Sequence, residues 1–475
     1  MHRISVFLLI ILLISGPVKL YSQETWTLEK CIEYAMENNI QVKQSRLNTE
    51  YNANLLKQSK LGQIPSLNAQ GNYTYSWGRA LDQTTYSFTN DQKINSISLN
   101  ASSSVTLFNG FQTLNTIRQN ELNLMAAYED VDKIRNDISL NIAAAYLQIL
   151  FNHELLQVAE NQLGITRQQV DRTNQLVEAG KEAKGALLEI QAQYASEELT
   201  KVSAENQLAL SYLNLQQLLD LHYDPGFKIA FPDLPVPGDS LLMLNVDEVY
   251  ELAQTLMPQI KGAELNLQSA EKGYDIARGY RSPRLSASAS LSSGYSDVRQ
   301  QVTGETTSPQ IPIGETAGGE PVYSYPQTVP VYGSYPFFEQ LNDNMSTGVG
   351  VSLAIPIFNG WQANTAIANA KINVENYRLE LQNKKNVLYR EIQQSYADAL
   401  AALKKFTATE QALTAMEESF MYMQKKYEVG LVNTVDYNTA KNQLAKTQSD
   451  LLQAKFDFIF KTKILNFYKG EPLTL

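Results

Sequence analysis

The chain has 475 residues, a formal net charge of −10 and a pI near 5.1, a balance that argues against DNA or RNA as a partner. Its single cysteine, Cys31, excludes an internal disulfide framework and any CxxC metal or redox motif, and His2, His153 and His222 stand too far apart to form a ligand set. There is no phosphate-binding Gly-x-x-x-x-Gly-Lys-Ser/Thr loop, no His-Glu-x-x-His and no Gly-x-Ser-x-Gly, so no enzymatic activity, cofactor or metal is expected.

The first element is an export signal. His2 and Arg3 precede an apolar run, Ile4–Ile14, that is too short to cross a bilayer, and cleavage is expected near Tyr21-Ser22. Residues 1–22 therefore read as a signal peptide. From Thr27 to about Gly62 the pattern is helical, with Thr27 as cap and Pro65 as stop.

The period then switches to two. Leu67, Ala69, Gly71, Tyr73, Tyr75 and Trp77 alternate with Ser66, Asn68, Gln70, Asn72, Thr74 and Ser76. After a predicted loop over about 78–94, Ile97, Leu99, Ala101, Ser103, Val105 and Leu107 alternate with Ser98, Asn100, Ser102, Ser104 and Thr106. This makes a strand pair over 66–107, each strand polar on one face and largely apolar on the other. From Gly110 to Gly180 the period changes again. Ile142, Ile149, Leu156, Leu163, Val170 and Val177 stand seven apart, with Ala145, Asn152, Ala159, Thr166 and Thr173 as a companion seam. A shorter helix is predicted over 186–221 after the glycines Gly180 and Gly185, and a linker rich in Pro and Gly closes a first repeat spanning 23–245.

The plan then repeats over 246–475. Val246 to Gly279 is predicted helical, Pro283 matches Pro65, and a second strand pair spans 284–357, interrupted by a long exposed loop over 297–344. A long helix over 360–430 carries Ile392, Ala399, Phe406, Leu413, Phe420 and Tyr427, each 250 positions after its counterpart. A closing helix over 434–468 and a short tail complete the chain. The stretch Leu107-Phe108-Asn109-Gly110-Phe111-Gln112 returns as Ile357-Phe358-Asn359-Gly360-Trp361-Gln362, both times where strand gives way to long helix.

Two lengths constrain the architecture. About seventy residues of helix run roughly 100 Å, which no globular domain contains, and two helices of about 35 residues match one such rod end to end. Strands of about eleven residues suit a tilted bilayer crossing, with aromatic girdles from Tyr73, Tyr75 and Trp77 at one level and Phe108 and Phe358 at the other. A soluble sheet with one dry face is the alternative. Four strands cannot close a barrel and an open edge is not tolerated in lipid, so several copies of the chain are expected to pool their strands.

The doubled order of strand pair, Phe-Asn-Gly turn and long helix, with Tyr427-Glu428-Val429-Gly430-Leu431 ending the second rod, resembles the TolC family of outer-membrane efflux proteins over essentially the whole mature chain. The resemblance implies an α+β membrane protein of the cell outer membrane. It would be a homotrimer with a 12-stranded β-barrel, a long periplasmic α-helical barrel, and a mixed equatorial belt drawn from about 227–244 and the C-terminal tail. The function it implies is that of a passive exit channel working with an inner-membrane transporter and a periplasmic adaptor. A duct for type I protein secretion, or an exported coiled-coil scaffold without a pore, stand as alternatives.

The candidate site residues fall into three groups. Asn109, Gly110, Asn359 and Gly360 are expected to make the strand-to-helix turns. By resemblance, Val429, Gly430 and Leu431 match the Val-Gly-Leu pattern that meets the adaptor, whereas Gly180 sits in a departing Ala179-Gly180-Lys181 context. Glu178, Glu182, Glu189, Glu428 and Asp436 are candidates for a periplasmic gate, since carboxylate rings at a constriction favour cations.

Overall fold

A computed structural model describes residues 25–81, 88–234 and 245–474. The predicted signal peptide lies outside them. No described helix is long and apolar enough to cross a membrane.

The chain begins with α1 (Leu28–Asn38) and α2 (Ile40–Leu61), and the second repeat opens with α5 (Val246–Leu256) and α6 (Pro258–Arg278). Each pair was expected as one unbroken helix. Asn39 divides the first: its backbone is extended, its N–H still donates to the carbonyl of Ala35, and its side-chain oxygen accepts from the amide of Gln41 at 2.8 Å, capping α2. Met257 divides the second, because Pro258 disfavours helical dihedrals at the residue before it and sits well at a first helical position.

The long helices are α3 (Gln112–Glu178) and α8 (Gln362–Glu428), of 67 residues each, and they are followed by α4 (Lys184–Leu218) and α9 (Thr434–Tyr468), of 35 residues each. The long helices stop two residues inside the expected glycine limits. Helix α4 begins and ends earlier than expected, with Gly185 inside its first turn. Along α3 the seam of small and polar residues is the more deeply packed one. Ala145, Asn152, Ala159, Thr166 and Thr173 are all buried, whereas the apolar heptad is buried at Ile142 and Ile149 and half-exposed from Leu156 to Val177.

Two compact units emerge, and each draws on both repeats. The first comprises 25–53, 122–268 and 375–474. In its main core Cys31, Ala35 and Val42 share a cluster with Ile138 and Ile142. The repeat-related Val249, Ala253 and Ile260 share one with Leu388 and Ile392. Burial pushes the Cys31 thiol up to about 12, so it behaves as a small apolar filler. Trp26 bridges to Ile229, and the Tyr146 hydroxyl lies 3.0 and 2.6 Å from the carbonyls of Trp26 and Ala230.

The second unit comprises 54–121 and 269–374 and contains the sheet. Strands β1 (Ser66–Leu81), β2 (Phe88–Phe108), β3 (Arg284–Ser296) and β8 (Ser346–Ala354) form a four-stranded antiparallel sheet in the order β1-β2-β3-β8. β1 and β2 extend well into the stretch 78–94 that was expected as loop. β8 stops at Ala354 instead of reaching Ile357, because Pro356 cannot donate to a ladder.

The segment 297–344 is structured, contrary to the loop expectation. β4 (Gln300–Thr307) pairs with β7 (Thr328–Ser334), β5 (Pro312–Glu315) pairs with β6 (Pro321–Tyr323), and α7 (Phe337–Asp343) follows. Helix α7 docks where β3 outruns its partner β8. Gln340, fully buried, accepts from the amide of Ser296 at 2.5 Å and donates to its carbonyl at 3.1 Å, while Asn344 donates to the Gly294 carbonyl at 2.7 Å. These side-chain amides replace the ladder bonds that a longer β8 would have made.

Candidate functional site

The ladder fixes what each face of the sheet presents. Directly opposed residues share a face. On one face the pairs run Ser66 with Ser104, Asn68 with Ser102, Gln70 with Asn100, Ser102 with Ser290 and Ser288 with Gly350. On the other they run Ala69 with Ala101, Tyr73 with Ile97, Ala101 with Leu291 and Ala287 with Val351. Polar side chains fill one side, and the other is largely apolar, broken by Ser103, Ser293 and Thr347, with Trp77 75 % and Val349 87 % exposed. β1 and β8 each have one unpaired edge among the described residues.

The five aromatic residues expected as a girdle do not all lie on the sheet. Tyr73, Tyr75 and Trp77 lie on the apolar face, with the last two rings 5.9 Å apart. By simple alternation Phe108 would point to the polar face, but a bulge between Thr106 and Phe108 sets it opposite Leu285 on the apolar one. Phe358 follows Pro356 beyond the end of β8 and is no part of the sheet.

Both Asn-Gly pairs lie in tight turns just before the long helices. The side chain of Asn109 accepts from the amide of Thr113 at 3.3 Å, and that of Asn359 accepts from Ala363 at 3.5 Å. Gly110 and Gly360 have φ of 66° and 60°, and the aromatic residues after them, Phe111 and Trp361, are also left-handed at 63° and 70°. Two successive left-handed residues make the tight turn between strand and helix, and a non-glycine residue there costs about 1 kcal/mol. The second left-handed position carries no marker in the sequence.

The turns between long and short helices follow one pattern. Gly180 donates to the carbonyl of Val177 and Lys181 to that of Leu176. Gly430 and Leu431 do the same to Tyr427 and Lys426. With φ of 70° and 76°, both glycines occupy the left-handed position that ends a helix. Val429 and Leu431 are 70 % and 74 % exposed, with Val435 also outward, whereas the first turn offers Ala179 and Lys181. Glu178, Glu182, Glu189, Glu428 and Asp436 are all exposed. Glu178 accepts from Asn174 and Glu428 from Gln424, each within its own helix, and the amide of Asp436 donates to the capping Asn433. No hydrogen bond or ion pair joins any two of the five among the described residues.

A polar layer near these turns escaped the sequence reading. Lys441 on α9, 1 % exposed, donates to both carboxylate oxygens of Glu197 on α4 at 3.1 and 3.3 Å and to the carbonyl of Gln162 on α3 at 3.2 Å. The Thr166 hydroxyl contacts both Lys441 and Glu197. Burial pulls the Lys441 ammonium below its usual range, against the opposing pull of Glu197. Beside the layer, Tyr437 stacks on Tyr427 at 4.5 Å, and the side-chain oxygens of Asn438 and Gln169 lack partners. The only hint in the sequence is the threonine pair Thr166 and Thr173 in the companion seam.

A sheet largely apolar on one face and polar on the other, leading through two tight turns into two 67-residue helices, fits the class of outer-membrane channel proteins. The comparisons with known proteins agree. The model of the family described as outer membrane efflux protein matches residues 31–220 and 249–458, and the chain belongs to that family. Outer membrane protein TolC of Escherichia coli is 22 % identical over 403 residues, covering 83 % of this chain and 72 % of the relative. Alkaline protease secretion protein AprF of Pseudomonas aeruginosa is 20 % identical, covering 84 % and 76 %. The crystal structure of the outer membrane protein VceC from Vibrio cholerae superposes with a TM-score of 0.72 at 16 % identity, covering 94 % of this chain and 96 % of that one. The protein is an outer-membrane protein of efflux type and not an enzyme.

Proposed function

We propose that the protein is the passive exit duct of a tripartite efflux system. Three copies would pool their strands into a 12-stranded barrel and their helices into a periplasmic tunnel, receiving small toxic compounds from an inner-membrane transporter through an adaptor. The observation that carries this reading is the four-stranded sheet with a largely apolar exposed face, a polar face and, among the described residues, two unpaired edges. In lipid those edges need partners, and further copies of the same sheet supply them. The exposed Val429, Gly430 and Leu431 are the proposed adaptor contact, with Gly180 in the related turn, and Glu178, Glu182, Glu189, Glu428 and Asp436 the proposed gate. Deleting the gene should sensitise the cell to at least one toxic compound, with wild-type protein restoring resistance and Leu431→Asp failing to restore it at normal outer-membrane levels. Unchanged sensitivity to a broad panel would count against efflux.

The secretion protein AprF among the relatives supports a second reading, a duct for protein export. Loss of one large secreted protein on deletion, with drug sensitivity unchanged, would favour it.

A further inference from the structure

The polar face of the sheet is almost free of charge. Across the paired stretches Ser66–Ser76, Ser96–Thr106, Arg284–Ser296 and Ser346–Ala354 its side chains are Ser, Thr, Asn, Gln, Gly and Ala, with the single exception of Arg284. Arg284 opens β3 opposite Ala354, at the end of the sheet where β2 leads towards α3. Its guanidinium makes one long contact, 3.4 Å to the Thr106 hydroxyl, and no carboxylate lies within ion-pair distance among the described residues. It lines a cavity of about 630 Å³ together with the hydroxyl residues Ser66, Ser104, Thr106 and Ser286 and the apolar Ile64.

A guanidinium has five donors, and here nearly all are free of protein partners among the described residues. Hydroxyls that can turn to donate surround it, and no acidic group lines the cavity. We propose that Arg284 and these hydroxyls form an anion subsite at the foot of the channel lining, taking the carboxylate, sulfonate or phosphate group of passing solutes. The inference rests on the reading of the polar face as lumen. On that reading each chain contributes one Arg284, and the copies bias an otherwise neutral wall towards anions. The interaction is weak by design of its surroundings: an exposed guanidinium in water attracts without retaining, as conduction requires.

The test uses the full mature protein in planar bilayers of phosphatidylcholine, which present no anionic lipid. Reversal potentials are read across a KCl gradient at about 0.1 M, where the screening length is about 10 Å, and again near 1 M, where it is about 3 Å. Arg284→Gln should lower the anion-to-cation permeability ratio by about twofold at low salt, Arg284→Glu should lower it further, and Arg284→Lys should preserve it. The differences should shrink at high salt. Conducting Arg284→Gln and Arg284→Glu channels with wild-type reversal potentials would overturn the subsite while leaving the pore intact. Absence of conductance from the wild-type protein would overturn the pore reading and the subsite together.

Discussion

Lys441 and Glu197 form an ion pair in which each side chain is more than nine-tenths buried, and Thr166 closes it from a third helix. Taking two charges out of water is expensive, so such a pair is a poor source of net stability but a strong constraint. Breaking it by Lys441→Met or Glu197→Leu alone strands one buried charge and should cost about 3–5 kcal/mol. The double variant should recover most of that loss. Urea unfolding in detergent, followed by circular dichroism, would read all three; a double variant as weak as the singles would mean that the layer contributes more than charge balance.

The two Asn-Gly turns look alike in sequence but not in their surroundings. A Cβ on Gly110 would meet Ser282 Cβ at 2.5 Å and the Gly279 carbonyl at 2.9 Å, whereas one on Gly360 meets nothing within 4 Å. Gly360→Ala should therefore cost about 1 kcal/mol for its left-handed backbone alone. Gly110→Ala adds an overpacking term of about 1–3 kcal/mol. The amounts of each variant assembled in the outer membrane, and their melting temperatures, should differ in that order.

Asp398 on α8 accepts from Lys461 on α9 at 2.8 Å and from Gln394 at 2.6 Å, and these bonds hold its carboxyl below the usual 3.8. A carboxyl with a depressed folded pKa stabilises the fold above the unfolded value and loses that contribution as pH falls through the folded one. Asp398→Asn should thus melt below wild type at neutral pH, with the gap closing below pH 3.8. A gap that stays constant into acid would remove the ion pair as its cause.

The side-chain amides of Gln340 and Asn344 hold α7 against β3. Gln340→Ala leaves the Ser296 amide and carbonyl without those partners, a loss of about 1–3 kcal/mol confined to the segment 297–344. Protease added to purified protein should cut that segment faster in the variant, with the amount of protein in the outer membrane unchanged.

Much of the fold is legible because its signals are long and doubled. Heptads 250 positions apart place both 67-residue helices to within two residues, and alternation, broken at Ser103, separates the two faces of β1 and β2. What resists reading depends on single residues or on contacts distant in sequence. Asn39 resembles any helix-surface asparagine until its cap is seen, though Pro258 could have marked the break at Met257. The hairpins of 300–334 are short and rich in proline, a composition shared with loops. Lys441 meets Glu197 across 244 positions, and nothing local distinguishes it from the solvated lysines of α9. A glycine after an asparagine marks the turns before the long helices, whereas the buried layer beside the helix-end turns carries no such local marker.

The helix breaks at Asn39 and Met257 stand 218 positions apart, as do Pro65 and Pro283, while the long helices stand 250 apart. The two halves therefore keep step on either side of the strand pairs and fall out of step by 32 residues between β3 and β8. All the added length of the second half has been taken up at one connection, the folded segment that α7 pins to the end of β3. That connection is a natural port for inserted sequence: an epitope or fluorophore-binding peptide placed in the β5–β6 turn would report on the protein from outside its repeated frame, without disturbing the register of any helix.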